Sequence, residues 1–197
     1  MKRICKAAAA ALVLAVGLAG SVAAGPYEDG TAAAKRGDYD TAVRLIRPLA
    51  DQGDSSAKTF LGQLFRNGMA AAERRDYDTA VRLIRPLANQ GDSSAKTFLG
   101  QLFRNGTVAG RRGDYDTAMR IMRPLAEQGD SPAQTFLAHL FRVVIPPDYA
   151  AAASWFSKAA EQGDAFAQDQ LGFQYANGLG VTQDHAAAAS WRAWERS

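Results

Sequence analysis

Thirty-one consecutive residues, Asp38 to Gly68, occur again from Asp76 to Gly106 with a single difference, Asp51 against Asn89. No other feature of the chain constrains its fold as strongly. A segment can be copied whole only where adding a unit preserves the structure, as in a quasi-one-dimensional stack of repeats. The period extends further. Asp38-Tyr39-Asp40-Thr41-Ala42 returns at Asp76 and at Asp114, in steps of 38, and weaker copies start at Asp148 and Asp184. Gly53, Gly91, Gly129 and Gly163 keep the same rhythm within Gln-Gly-Asp.

Each unit reads as two helices. Tyr39, Ala42, Ile46, Leu49 and Ala50 share one face at helical spacing, with Asp38 as N-cap and Gly53 as terminator. Ala57, Phe60, Leu61, Leu64 and Phe65 form a second stripe, which Asn67-Gly68 is expected to stop. No stretch alternates with period two. The class expected is therefore all-α, a right-handed solenoid of antiparallel helix pairs. Repeats fall at about 38–75, 76–113, 114–147 and 148–183, with a capping helix over 184–197 and a leading segment, 25–37, that can form a short helix. Pro48, Pro86 and Pro124 lie inside the first helices, where each removes an N–H and should bend or break its helix.

Residues 1–24 are read apart from the repeats. Met-Lys-Arg-Ile-Cys-Lys, an uncharged apolar run from Ala7 to Gly20, and small residues at Val22 and Ala24 make a secretory signal peptide. The protein is expected to be exported, to the periplasm or beyond the cell, with no stable membrane insertion once the signal is removed. Without Lys2, Arg3 and Lys6 the 23 basic residues fall to 20 and match the 20 acidic ones, so the basic balance is no argument for nucleic-acid binding. Cys5, the sole cysteine, lies in the same segment, which leaves no disulfide and no thiolate site.

Gly53-Asp54-Ser55 carries the letters that surround the nucleophile in one class of serine hydrolases. A nucleophile is needed once and needs a base. Here Ser55 and Ser93 stand in identical settings, and the only histidines, His139 and His185, lie in different units. The segment reads instead as a turn and helix start, as Ser131-Pro132 in the third copy suggests. No catalytic residue, metal or cofactor is expected.

The stretch "DYAAAASWFSKAAEQGDAFAQDQLGFQYANGLGVTQD", Asp148 to Asp184, resembles the Sel1-like repeat family, a relative of the tetratricopeptide repeat. The pattern lies in Trp155, Lys158-Ala159-Ala160, Gly163, Ala167, Leu171-Gly172, Tyr175, Gly178, Gly180 and Val181, and weaker copies extend it over about 38–197. The resemblance implies an α-solenoid with a protein-interaction role, often in the bacterial envelope or in secretion, and no activity of its own. A protein or peptide bound along the solenoid groove is the expected function. The alternative is a regulatory scaffold for an envelope enzyme acting on cell wall, with glycan contact.

Two arginine ladders are the candidate binding residues. Arg44, Arg82 and Arg120 each follow an aspartate by four residues and could form ordinary surface pairs. Arg47, Arg85 and Arg123 have no such partner within the helix and are the better candidates to grip a partner's acidic groups. Trp155 and Phe156 enter the fourth unit at the places of Leu45 and Ile46 and read as core. Trp191 and Trp194, on the last helix, either cap the stack or offer an apolar patch to a partner.

Overall fold

The computed structural model describes residues 25–193, and their side chains as far as Trp191; the expected signal peptide and Trp194 lie outside the described residues. Ten helices follow one another with no strand among these residues: α1 Pro26–Lys35, α2 Tyr39–Asp51, α3 Ser55–Glu73, α4 Tyr77–Asn89, α5 Ser93–Arg111, α6 Tyr115–Glu127, α7 Ser131–Val143, α8 Tyr149–Glu161, α9 Ala165–Asn177 and α10 His185–Ala193. The chain is an all-α solenoid.

The joint inside each unit does two jobs with three residues. At the end of α2, Gly53 (φ +103°) donates to Ala50 O and Asp54 donates to Leu49 O, which closes the helix with a left-handed residue. The Asp54 carboxylate then accepts the N–H of Ala57, so the residue that ends one helix caps the next. Asp92, Asp130 and Asp164 accept from Ala95, Ala133 and Ala167 in the same way. Ser55 is thus the first residue of a helix. At the first helices Asp38, Asp76, Asp114 and Asp148 cap through Thr41, Thr79, Thr117 and Ala151.

Two expectations about helix ends are corrected. Asn67-Gly68 does not stop the second helix: α3 runs on to Glu73, and α5 likewise passes Gly106 to Arg111. Gly68 is buried, and a Cβ there would lie 2.5 Å from Ile84 Cγ1 and 3.4 Å from Ala80 O. The glycine is a point of close helix approach, and the following Met-Ala-Ala-Ala-Glu consists of good helix formers. Only in the fourth unit does Asn-Gly end a helix, with Gly178 left-handed at φ +65°. Nor do Pro48, Pro86 and Pro124 break α2, α4 and α6. Each helix keeps 13 residues, the length of α8, which has Lys158 there. One lost N–H near the C-terminal end is outweighed by a buried face and a closed terminus.

Each long second helix packs most extensively against the first helix that follows it, α3 on α4 and α5 on α6, and α1 packs on α2 in the same manner. Gly30 of α1 meets Ile46 as Gly68 meets Ile84, so α1 is the end portion of a second helix. First helices also pack on one another, α2 on α4 and α4 on α6, more closely than the second helices α5 and α7 do. The first helices therefore form the inner face. Between units the second helices are joined by edge-on aromatic pairs: Tyr27 with Phe60, Phe65 with Phe98, Phe103 with Phe136.

The core is in two clusters. One runs from Val43 to Leu140 through α2–α7; the other holds Ala138, Phe156, Ala160 and Leu171 with their neighbours. Phe141 and Trp155 touch both. The division runs along α7, with Leu137 and Leu140 in the first cluster and Ala138 in the second; α7 stops at Val143, where Pro146-Pro147 prevents its continuation, and Asp148 N donates to Phe141 O to start α8. Phe156 is wholly buried, and Trp155 is partly buried with Lys158 Nζ 4.0 Å over its ring. Trp191 lies back on the second cluster.

Candidate functional site

The two ladders have different fates. Arg44, Arg82 and Arg120 are exposed on the inner side. The guanidinium groups of Arg82 and Arg120 turn towards the preceding unit: Arg82 stands 5.9 Å from the Tyr39 ring centroid, and Arg120 Nη2 donates to Arg75 O at 3.4 Å. The aspartates four residues earlier form no ion pair with them; among the described residues the ion pairs are those of Arg47 and Arg85.

Arg47 and Arg85 do have partners, contrary to the expectation from their own helices. Arg47 Nη2 lies 3.6 Å from Asp92 Oδ2 and 3.4 Å from Gln90 O. Arg85 places Nη2 and Nη1 at 3.3 and 3.4 Å from Asp130 Oδ2. The partner is the cap aspartate of the next unit, 45 residues on, so no inspection of a single helix could find it. These side chains are only 21 % and 16 % exposed and act as ties between units. Arg123 differs. Its counterpart aspartate, Asp164, accepts instead from Thr135 at 3.1 Å, and Arg123 stays exposed.

The freed arginine faces a groove of about 720 Å³ between α4 and α6. One wall is the entrance to α4, with Arg75, Asp76, Tyr77 and Asp78; the other is α6, with Asp116, Met119, Arg120, Arg123, Pro124 and Glu127. Arg75 is unusual. It takes a left-handed φ of +62°, where the equivalent residues Gly37 and Gly113 have +82° and +81°. A side chain in that region costs about 1–2 kcal/mol. Its charge, with that of Arg120, helps hold the Asp114 carboxyl below its ordinary range, although the Thr117 N–H is the main cause. Sequence reasoning passed over Arg75; the signal was Arg75 itself, standing where two other copies have glycine.

No group of three or more His, Cys, Asp or Glu side chains that could hold a metal occurs among the described residues, where His139 and His185 are both exposed. No described helix is long and apolar enough to cross a membrane.

Stacked helix pairs with apolar cores between them and a charged inner groove define a tandem-repeat solenoid. The model of the Sel1 repeat matches residues 21–54, 55–92, 93–130, 131–164 and 165–191, and the chain belongs to that family. The matched units begin with the second helix, in keeping with the intimate pairing of α3 with α4 and α5 with α6. Sel1 repeats generally mediate protein–protein interaction and are typically non-catalytic. Among solved structures, the chain is similar to a Sel1 repeat protein from Oxalobacter formigenes, at 26 % identity and TM-score 0.44, over 80 % of this chain and 45 % of that one. It is also similar to a protective antigen of uropathogenic Escherichia coli with an SLR fold, at 27 % identity and TM-score 0.42, over 78 % of this chain and 40 % of that one. The chain thus spans less than half the length of either. Comparison with curated proteins gives no match.

Proposed function

We propose that the protein is an exported, non-enzymatic adaptor that binds a protein or peptide segment in the groove between α4 and α6. The observation that carries this reading is the position of Arg123: alone of its ladder it is untied, and it lines the groove together with Arg120 and the strained Arg75. Backbone strain kept at a cleft supports a binding role. The groove presents both signs, with Asp78, Asp116 and Glu127 beside the arginines. It fits a partner segment of mixed charge whose acidic groups meet Arg120 and Arg123 and whose apolar side chains meet Tyr77, Met119 and Pro124. Export rests on the signal-like residues 1–24.

The test is affinity capture from a cell-envelope extract with three baits: wild type, Arg120→Ala/Arg123→Ala, and Arg47→Ala/Arg85→Ala. The reading predicts that a partner held by the wild type is lost by the first variant and kept by the second, provided both remain helical. Retention by the first variant removes the groove from consideration.

A further inference from the structure

Two further cavities, of about 400 and 420 Å³, are built from the same positions one repeat apart. They lie where the end of a first helix meets the following second helix and the cap of the next, away from the α4–α6 groove. Arg47, Lys58, Leu61, Gly62, Phe65 and Asp92 line the first; Arg85, Lys96, Leu99, Gly100, Phe103 and Asp130 line the second.

The glycines are the clue. Gly62 and Gly100 sit mid-helix without a positive φ, where glycine is unfavourable relative to alanine. Packing does not require them: a Cβ would meet only Arg66 Nη1 at 3.4 Å or Arg104 Nη1 at 3.6 Å. Their effect is to leave each cavity open. The third copy shows the closed form of the same joint. There Ala138 replaces the glycine and is wholly buried. Gln134 replaces the lysine, is 4 % exposed, donates to Ala126 O and accepts from Gln162. In the first two copies Lys58 and Lys96 are exposed at the rim instead.

Each open cavity therefore combines an apolar lining with two cations, one of them already paired with a carboxylate. The single difference between the duplicated segments falls here: Asp51 lines the first cavity and Asn89 the second. The charged groups of the first sum to zero and those of the second to one positive charge. The ε N–H of Arg85 is, in addition, buried without a partner.

We infer that these twin cavities are binding sites for an apolar side chain carrying an adjacent carboxylate, as at the C-terminus of a peptide ending in an aromatic residue, with the Lys96 cavity the stronger. The side chain would rest on Leu99 and Phe103, and the carboxylate would be met by Lys96 and Arg85.

The experiment is an amide-resolved NMR titration of the whole chain with acetyl-Gly-Gly-Phe as free acid and as C-terminal amide. Saturable shifts are expected over residues 85–103 first and 47–65 at higher concentration. The free acid should bind about tenfold more tightly than the amide, the worth of one charge-assisted contact. Gly100→Leu should abolish the first set and leave the second, which also reports that the variant is folded. Asn89→Asp should bring the two sites to similar affinity. Lys96→Gln, an exposed change with no folding role, should weaken the first site several-fold. The proposal is overturned if millimolar peptide gives no saturable shift, if acid and amide bind alike, or if the shifts centre on Arg75, Arg120 and Arg123.

Discussion

Arg85 sets both terminal nitrogens of its guanidinium on one oxygen of Asp130, while the other oxygen of that carboxylate accepts the Ala133 N–H that opens α7. One aspartate thus ends a turn, starts a helix and ties two units. Asp54 performs only the first two tasks among the described residues, because no ion pair reaches it. Asp54→Ala should therefore cost about 1 kcal/mol, the usual worth of a cap. Asp130→Ala should cost about 1–3 kcal/mol more, since it also strands a largely buried guanidinium. Urea denaturation of the two variants side by side measures the tie as the difference.

Gly68 and Gly62 stand six residues apart on α3 and should respond to alanine in opposite directions. Gly68→Ala forces a methyl against Ile84 and should destabilise by about 1–3 kcal/mol. Gly62→Ala meets only a flexible arginine tip and should stabilise by about 0.5–1 kcal/mol. Thermal melts of both variants give the signs, and Ile84→Val should recover part of the loss in the first.

Arg75→Gly should raise stability by about 1 kcal/mol, because glycine accepts the left-handed backbone that Arg75 takes under strain. If the α4–α6 groove binds as proposed, the same change weakens capture of the partner. A variant that is more stable and equally competent in binding would show that Arg75 contributes nothing to recognition.

The cap carboxylates of Asp38, Asp76 and Asp114 are held below the ordinary value of 3.8, first by the backbone N–H of Thr41, Thr79 and Thr117 and less by nearby arginines. A carboxyl with a lowered folded-state pKa contributes stability that is present above its unfolded pKa and lost as the pH falls towards the folded one. Stability should thus be level from neutral pH to about pH 5 and decline below about pH 4. Because a local hydrogen bond dominates the shift, added salt should move this decline little. Replacing the three aspartates by asparagine, which caps without titrating, should flatten it.

Much of the fold was legible because the period itself carried it. The Asp-Tyr-Asp starts and the Gln-Gly-Asp joints mark real helix boundaries. The errors came where a residue's meaning depends on what lies opposite. Asn67-Gly68 has the letters of a stop signal, but Gly68 is a contact with Ile84 in another helix. Arg47 and Arg85 looked free because the aspartates they pair with are 45 residues away, whereas helix spacing reports only neighbours three or four apart. Arg123 kept its exposure for a reason no alignment of the first two copies contains: the shorter third unit brings Thr135, not an arginine, to Asp164. Trp191 could be placed on the fourth unit only once the last helix had a position.

The division of the core has a consequence for how the molecule opens. In a linear array, each unit is held by its neighbours, and a unit that buries little apolar surface opens at lower energy. Here the core divides along α7, with Leu137 and Leu140 in one cluster and Ala138 in the other, and the second cluster is the smaller and is built largely of alanine. Amide hydrogens of α8 and α9 should exchange through a separate, lower-energy opening than those of α4 and α5. The last units would then fray and reseal while the segment that carries both the groove and the twin cavities stays shut.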